Sequence, residues 1–186
     1  MNLPKKCINP IGVSSFQCFT PEQVKEINKK IKENIWSRQD PADAARGATK
    51  IGDFFYVPCP PMMDLLHPWM YECQHINKTQ FGYSIYWDFH LEKFNYNVYG
   101  VGGGYEWHVD ANSGDQPVDQ KFTCVLNLSE EPYEGGEFYT IIDPNPQPIP
   151  SGHAICFNPL IAHKVTPVTK GERITLTYWA QGPSWR

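Results

Sequence analysis

The stretch Gly104-Tyr105-Glu106-Trp107-His108-Val109-Asp110 decides how this chain folds. It is short, aromatic-rich and entered through a glycine run at Gly100, Gly102 and Gly103, which reads as a strand following a turn. Residues two apart on a strand share a face. His108 and Asp110 therefore point to one side and Val109 to the other.

Working outward, the same period-two alternation recurs over 84–91, 93–99, 121–129, 136–142, 153–158, 161–167 and 173–180. Gly, Pro, Asn and Asp separate these runs. Upstream the pattern differs. After a strand over 13–19, Thr20-Pro21-Glu22-Gln23 carries a capping box with proline in the first turn. Phe19 and Val24 are spaced for a hydrophobic staple, and Val24, Ile27, Ile31 and Ile35 form a helical stripe. Residues 38–50 are small and polar and read as a loop, and Phe54–Val57 reads as a short strand. A second helix is expected over about 62–77, with Met63, Leu66, Met70 and Cys73 on its buried face.

Helices first and then about eight strands predict a mainly β protein with N-terminal helices. The expected architecture is helices packed on an antiparallel β-sandwich of jelly-roll type. A single domain is expected over 1–186, with helical support over 1–83 and the jelly-roll core over 84–180.

The composition narrows the function classes. The chain has 186 residues, 41% hydrophobic and 14% aromatic, enough for one packed core. Its formal net charge of −4 argues against a nucleic-acid partner, which needs a basic face. The six cysteines form no CxxC pair, and the opening Met1–Gly12 has no apolar segment of secretory type. Reduced thiols and a cytoplasmic location follow as expectations. No apolar run approaches the roughly 20 residues of a membrane span.

The chemistry lies in an ordered set of polar residues. Two imidazoles and one carboxylate can hold one face of an iron(II) ion and leave positions open for reaction. His108 and Asp110 supply two of these groups from one strand, and His163 can supply the third from another. Arg173 opens a later strand, where its planar fork suits a carboxylate. His108-x-Asp110 alone equally describes a polar pair on an exposed strand, so its context carries the reading.

That context resembles a known family. Tyr99-Gly100-Val101-Gly102-Gly103-Gly104-Tyr105-Glu106-Trp107-His108-Val109-Asp110 is followed by Glu134-Gly135-Gly136-Glu137-Phe138. Then come His163-Lys164-Val165-Thr166-Pro167-Val168 and Gly171-Glu172-Arg173. In this order the segments resemble the iron(II)- and 2-oxoglutarate-dependent dioxygenases of the prolyl 4-hydroxylase-like group, which implies a cupin-like double-stranded β-helix core over about 84–180, and the resemblance extends more loosely to the two N-terminal helices. The resemblance implies that His108, Asp110 and His163 bind iron and that Arg173 pairs with the distal carboxylate of 2-oxoglutarate. It also implies that the Tyr99 hydroxyl reaches that carboxylate. Thr175 and Thr177 share strand parity with Arg173 and are candidates for a further hydrogen bond. Thr123, Val125 and Asn127 alternate along one strand and are expected to line the same cavity. Asn127 stands where some relatives carry an aromatic, and reads equally as a cosubstrate donor or a satisfied core amide. Iron(II), 2-oxoglutarate and dioxygen are the implied cofactors and cosubstrates, with ascorbate a further candidate.

The implied activity is hydroxylation of a C–H bond, with release of succinate and carbon dioxide, on a peptidyl residue such as proline. The alternative is a free amino acid or another small metabolite. A nucleic-acid demethylase fits less well, because position 179 is Trp where such enzymes carry a second arginine. A non-catalytic metal-binding jelly roll would not need Arg173. His67, His75, His90 and His153 have no partner motif and read as structural. Trp87, Trp107 and Trp179 are candidates for the mouth of the site. Residues 38–56 and the glycines at 100–104 are candidates for a mobile lid and a flexible turn.

Overall fold

The structure, a computed structural model, describes residues 13–39, 48–86, 93–110 and 118–183. Cys7, Trp87, His90 and residues 40–47 of the predicted loop lie outside the described residues, as does most of the predicted strand over 84–91.

The chain opens with β1 (Val13–Gln17) and α1 (Pro21–Glu33). The start of α1 is set locally. The Thr20 hydroxyl accepts from the Gln23 amide, and the Gln23 side chain accepts from the Thr20 amide. This reciprocal pair satisfies two donors that a helix start leaves open, and a cap of this kind contributes about 0.5–2 kcal/mol. Phe19, Val24, Ile27 and Ile31 are buried in the main core. Ile35, expected on the same stripe, lies beyond the C-cap at Asn34 and is exposed, since the stripe ends where the helix does.

Short strands β2 (Ser37–Arg38), β3 (Lys50–Ile51) and β4 (Asp53–Pro58) follow. A tight turn at Pro60–Met62 leads into α2 (Met63–Ile76), which runs on through a wider π-type turn at Asn77–Phe81. The buried face of α2 carries Leu66, Trp69, Met70, Cys73 and Ile76, whereas Met63 is only half-buried.

The remaining strands are β5 (Lys93–Tyr99), β6 (Gly104–His108), β7 (Val118–Asn127), β8 (Glu134–Gly135), β9 (Phe138–Thr140), β10 (Asp143–Gln147), β11 (His153–Phe157), β12 (His163–Val165), β13 (Val168–Lys170) and β14 (Arg173–Pro183). Residues 84–86 are not a strand, and the ladder begins at Lys93. The alternation rule missed β10, whose sequence DPNPQ reads as a turn. It sits at a sheet edge, where proline's missing donor costs no ladder bond.

Seven strands form the larger sheet in the order β1-β11-β7-β14-β5-β4-β2, and five form the smaller one in the order β10-β9-β12-β6-β3. Strands β13 and β8 make a separate ribbon. Every pairing between these strands is antiparallel. The architecture is the mainly β jelly roll that the residue pattern predicts, in the double-stranded β-helix form that the resemblance implies.

The helices cover the outer face of the larger sheet. Asn28 of α1 donates to the Leu128 carbonyl at 2.8 Å and accepts from the Tyr96 hydroxyl at 3.1 Å, tying helix to sheet through buried polar groups. A second core, with Val125, Phe138, Phe157 and Val165 among its members, fills the space between the sheets. Both sheets therefore turn an apolar wall towards the site.

The five described cysteines are free thiols. Cys73, Cys124 and Cys156 bring their sulfurs together in the core, where burial holds all three thiols well above their usual pKa. All three pack among the apolar side chains of the main core. None of the described helices is long and apolar enough to cross a membrane.

The glycines at 100–104 form a pinned turn rather than a loose one. The Gly102 amide donates to the Val168 carbonyl, and the Val168 amide returns a bond to Gly103, each at 2.8 Å. A Cβ at Gly103 would lie 2.8 Å from the Gly100 carbonyl oxygen, so close backbone approach explains the glycine there.

Candidate metal centre and cosubstrate pocket

The smaller sheet brings the two histidines together. His108 ends β6, His163 begins β12, and the two residues are directly paired across the ladder. Asp110 follows two residues after His108, with its amide donating to the Pro159 carbonyl at 3.0 Å. One ligand atom from each of the three side chains lies within 4.8 Å of the others. Val109 points away and is exposed.

Hydrogen bonds set the histidine tautomers. The Nδ1–H of His108 donates to the Glu106 carbonyl at 2.7 Å, and that of His163 donates to the Ile161 carbonyl at 2.9 Å. A carbonyl can only accept, so Nδ1 carries a proton and Nε2 is the nitrogen left to bind a metal. Both Nε2 atoms face Asp110, each 3.6 Å from one of its oxygens. Burial, and then the proximity of His163, pushes His108 down to about 4 against the pull of Asp110. The His108 ring stacks on Tyr105 with centroids 3.4 Å apart, and the His163 ring packs edge-on against Phe157 at 4.8 Å. These contacts hold the two imidazoles in place, with their Nε2 atoms converging beside a carboxylate.

Thr123 of β7 completes the centre from the other sheet. Its hydroxyl donates to Asp110 Oδ2 at 2.9 Å. Supporting bonds of this kind orient metal-binding carboxylates.

The larger sheet supplies the second half of the pocket. Arg173 opens β14 and pairs in register with Tyr99, the last residue of β5. Arg173 is only 2% exposed, and its guanidinium carbon lies 5.6 Å from the centre of the Tyr99 ring. Among the described residues no carboxylate lies within ion-pairing distance of this arginine, and its guanidinium makes no hydrogen bond. A buried cation without a counter-charge is costly, so the pocket is built for an anion. Burial raises the Tyr99 hydroxyl pKa, with Arg173 opposing, so the phenol remains a protonated donor. Gly136, at φ 61°, makes room for the arginine, because a Cβ there would lie 2.9 Å from Arg173 Cδ.

One cavity is shared by His108, Asp110, His163, Arg173 and Tyr99. Thr175, Thr177 and Val125 also line it, as does Trp179. The Asn97 amide donates to the Thr177 hydroxyl at 3.2 Å and contacts that of Thr175 at 3.4 Å. Asn127 is not among the lining residues. Its amide donates to the Ile149 carbonyl and the Tyr133 hydroxyl, and its oxygen accepts from the Ser129 amide. Of its two readings, the satisfied core amide describes this geometry. Trp107 is exposed beside Lys164, and His153 bonds to the Ser151 carbonyl.

Lys50, Asn97 and Tyr105 also line the cavity, and the sequence offered little sign of them. Lys50 falls in a stretch that reads as a polar loop. Only the pairing of β3 with β6 carries it to the pocket.

Comparison with known proteins agrees with this geometry. Residues 94–181 match the family described as the 2OG-Fe(II) oxygenase superfamily. A PKHD-type hydroxylase of Xanthomonas campestris is 32% identical over 96 residues, 46% of this chain and 42% of the relative. The chain thus covers less than half the length of that relative. Among solved structures, a Pseudomonas putida prolyl-4-hydroxylase superposes with a TM-score of 0.67 at 18% identity, covering 94% of each chain. A Trichoplax adhaerens prolyl hydroxylase, solved with a hypoxia inducible factor peptide fragment, gives 0.64 at 16% identity, covering 92% of this chain and 84% of that one. With its histidines and carboxylate converging on one sheet and its buried arginine on the other, this chain matches the 2OG-Fe(II) oxygenase superfamily over residues 94–181 and has the double-stranded β-helix fold of the solved prolyl hydroxylases it resembles.

Proposed function

We propose that this chain is an iron(II)- and 2-oxoglutarate-dependent hydroxylase acting on a peptidyl residue such as proline. The observation that carries the reading is the unpaired, buried Arg173, in one cavity with His108, Asp110 and His163. A metal-binding module alone has no use for a buried cation beside its metal, whereas a dicarboxylate chelating that metal needs one.

The donor set fits iron(II): two imidazole nitrogens and a hard carboxylate oxygen, with no thiolate among them. His108, Asp110 and His163 would hold the ion, and Thr123 keeps the Asp110 carboxylate turned towards it. Arg173 and the Tyr99 hydroxyl would receive the distal carboxylate of 2-oxoglutarate. Iron, 2-oxoglutarate and dioxygen would together supply the oxidant, one oxygen atom entering the substrate C–H bond and the other entering succinate as carbon dioxide leaves. Val125, Phe138 and Val165 form an apolar wall that limits water. The peptidyl substrate is favoured by likeness to the prolyl hydroxylase neighbours, one of them solved with a bound peptide.

The test is an anaerobic titration with iron(II) and 2-oxoglutarate, followed by aerobic incubation with a peptide pool. A weak visible charge-transfer band and a mass gain of about 16 Da, one oxygen atom, are expected. Absence of the band in wild type overturns the cofactor assignment. A band with products only from free metabolites overturns the peptidyl substrate.

A further inference from the structure

We propose that Lys50 sets substrate specificity by gripping a carboxylate of the molecule to be hydroxylated. This rests on the hydroxylase reading above and extends it to the chemistry of the substrate.

Lys50 reaches the cavity from β3, at the edge of the smaller sheet, where it pairs with Tyr105 of the strand that ends in His108. Its ammonium carries three donors. One donates to Asn97 Oδ1 at 3.1 Å, and the nitrogen sits 3.7 Å from the centre of the Phe54 ring. Among the described residues it has no other oxygen acceptor and no carboxylate within ion-pairing distance. An ammonium meant only for packing would be expected to have its donors satisfied where it is enclosed. Burial pulls Lys50 down to about 8 while Asp110 pulls it back up, so near neutral pH the charge is largely retained.

Counting charge leads to the substrate. A dication, the Asp110 carboxylate, the two carboxylates of 2-oxoglutarate and Arg173 cancel one another. Lys50 is then one positive charge in excess within a partly enclosed pocket. Position sets it apart from the arginine. Arg173 is in register with Tyr99, whereas Lys50 is bonded to Asn97, two residues back along β5 on the same strand face. A substrate carrying one carboxylate near the target carbon would neutralise that charge and occupy the open donors.

The experiment is a calorimetric titration of the Zn(II)- and 2-oxoglutarate-loaded protein with propionate, propionamide and N-acetylglycine. Propionate stands for an acidic side chain and N-acetylglycine for a chain-end carboxylate. Wild type and Lys50→Arg are expected to bind the carboxylates about tenfold or more tighter than the amide, as a charged hydrogen bond requires. Lys50→Met is expected to lose that preference while keeping its 2-oxoglutarate affinity within about threefold. The tighter carboxylate identifies the source in the natural substrate. Equal binding of acid and amide by wild type overturns the proposal, as does a preference that survives in Lys50→Met. A larger loss of 2-oxoglutarate affinity in Lys50→Met also overturns it, by making Lys50 a cosubstrate ligand. Failure of wild type to bind 2-oxoglutarate removes the hydroxylase reading itself and this inference with it, a result distinct from lost discrimination with cosubstrate bound.

Discussion

Replacing Arg173 with methionine separates the two ends of the pocket. The arginine is 2% exposed and has no counter-charge among the described residues, so water does not screen what it does. Truncating one partner of a buried charge pair costs about 2–5 kcal/mol. The 2-oxoglutarate dissociation constant should therefore rise about 30-fold to several-thousand-fold in Arg173→Met. Zn(II) affinity should stay within about threefold, because the metal ligands lie on the other sheet. Thermal unfolding gives an independent reading. At a hundred times its dissociation constant, 2-oxoglutarate stabilises wild type by about 2.7 kcal/mol. In a domain of this size that is about 5–11 °C. In the variant the same concentration should contribute under about 1 kcal/mol. Without ligand the variant should melt at the wild-type temperature or above it, because an unpaired buried cation has been replaced by an apolar chain of similar volume. A parallel loss of metal and cosubstrate affinity would refute the role given to Arg173. So would an unliganded variant that melts well below wild type yet still binds 2-oxoglutarate.

Three further outcomes are expected. Thr123→Val removes the 2.9 Å bond to Asp110 from a fully buried strand position and should weaken metal binding about 10- to 100-fold, measured by competition with a chelating dye. Gly136→Ala forces a Cβ to 2.9 Å from Arg173 Cδ at a positive φ. It should cost about 1–2 kcal/mol in denaturant melts and weaken 2-oxoglutarate binding more than metal binding. Cys73, Cys124 and Cys156 should resist alkylation at pH 8 until the chain is unfolded, as read by mass spectrometry. Their folded pKa values lie above the ordinary value of 9.0, so above that pH the unfolded chain holds fewer protons than the folded one. Stability should accordingly be retained below pH 9 and fall as pH rises beyond it.

What the residues made legible was local. The start of α1 is written in Thr20-Pro21-Glu22-Gln23 because its bonds span three residues. The inward turn of His108 and Asp110 with Val109 facing out follows from strand parity. Proline-bearing β10 was illegible for the opposite reason, since its strand character comes from a neighbour in the ladder rather than from its own propensity.

By itself the sequence determined which chemical groups the chain possesses and which face of each strand they occupy, because backbone geometry imposes that parity on any strand. Only the tertiary structure decided which faces meet. It paired His163 with His108, set Tyr99 beside Arg173, turned Thr123 onto Asp110 and saturated Asn127 with core partners. It also carried Lys50 from a loop-like stretch into the cavity. The physical reason is that register between distant strands is settled by the burial of whole sheet faces. Many residues share that free energy, and no single motif contains it.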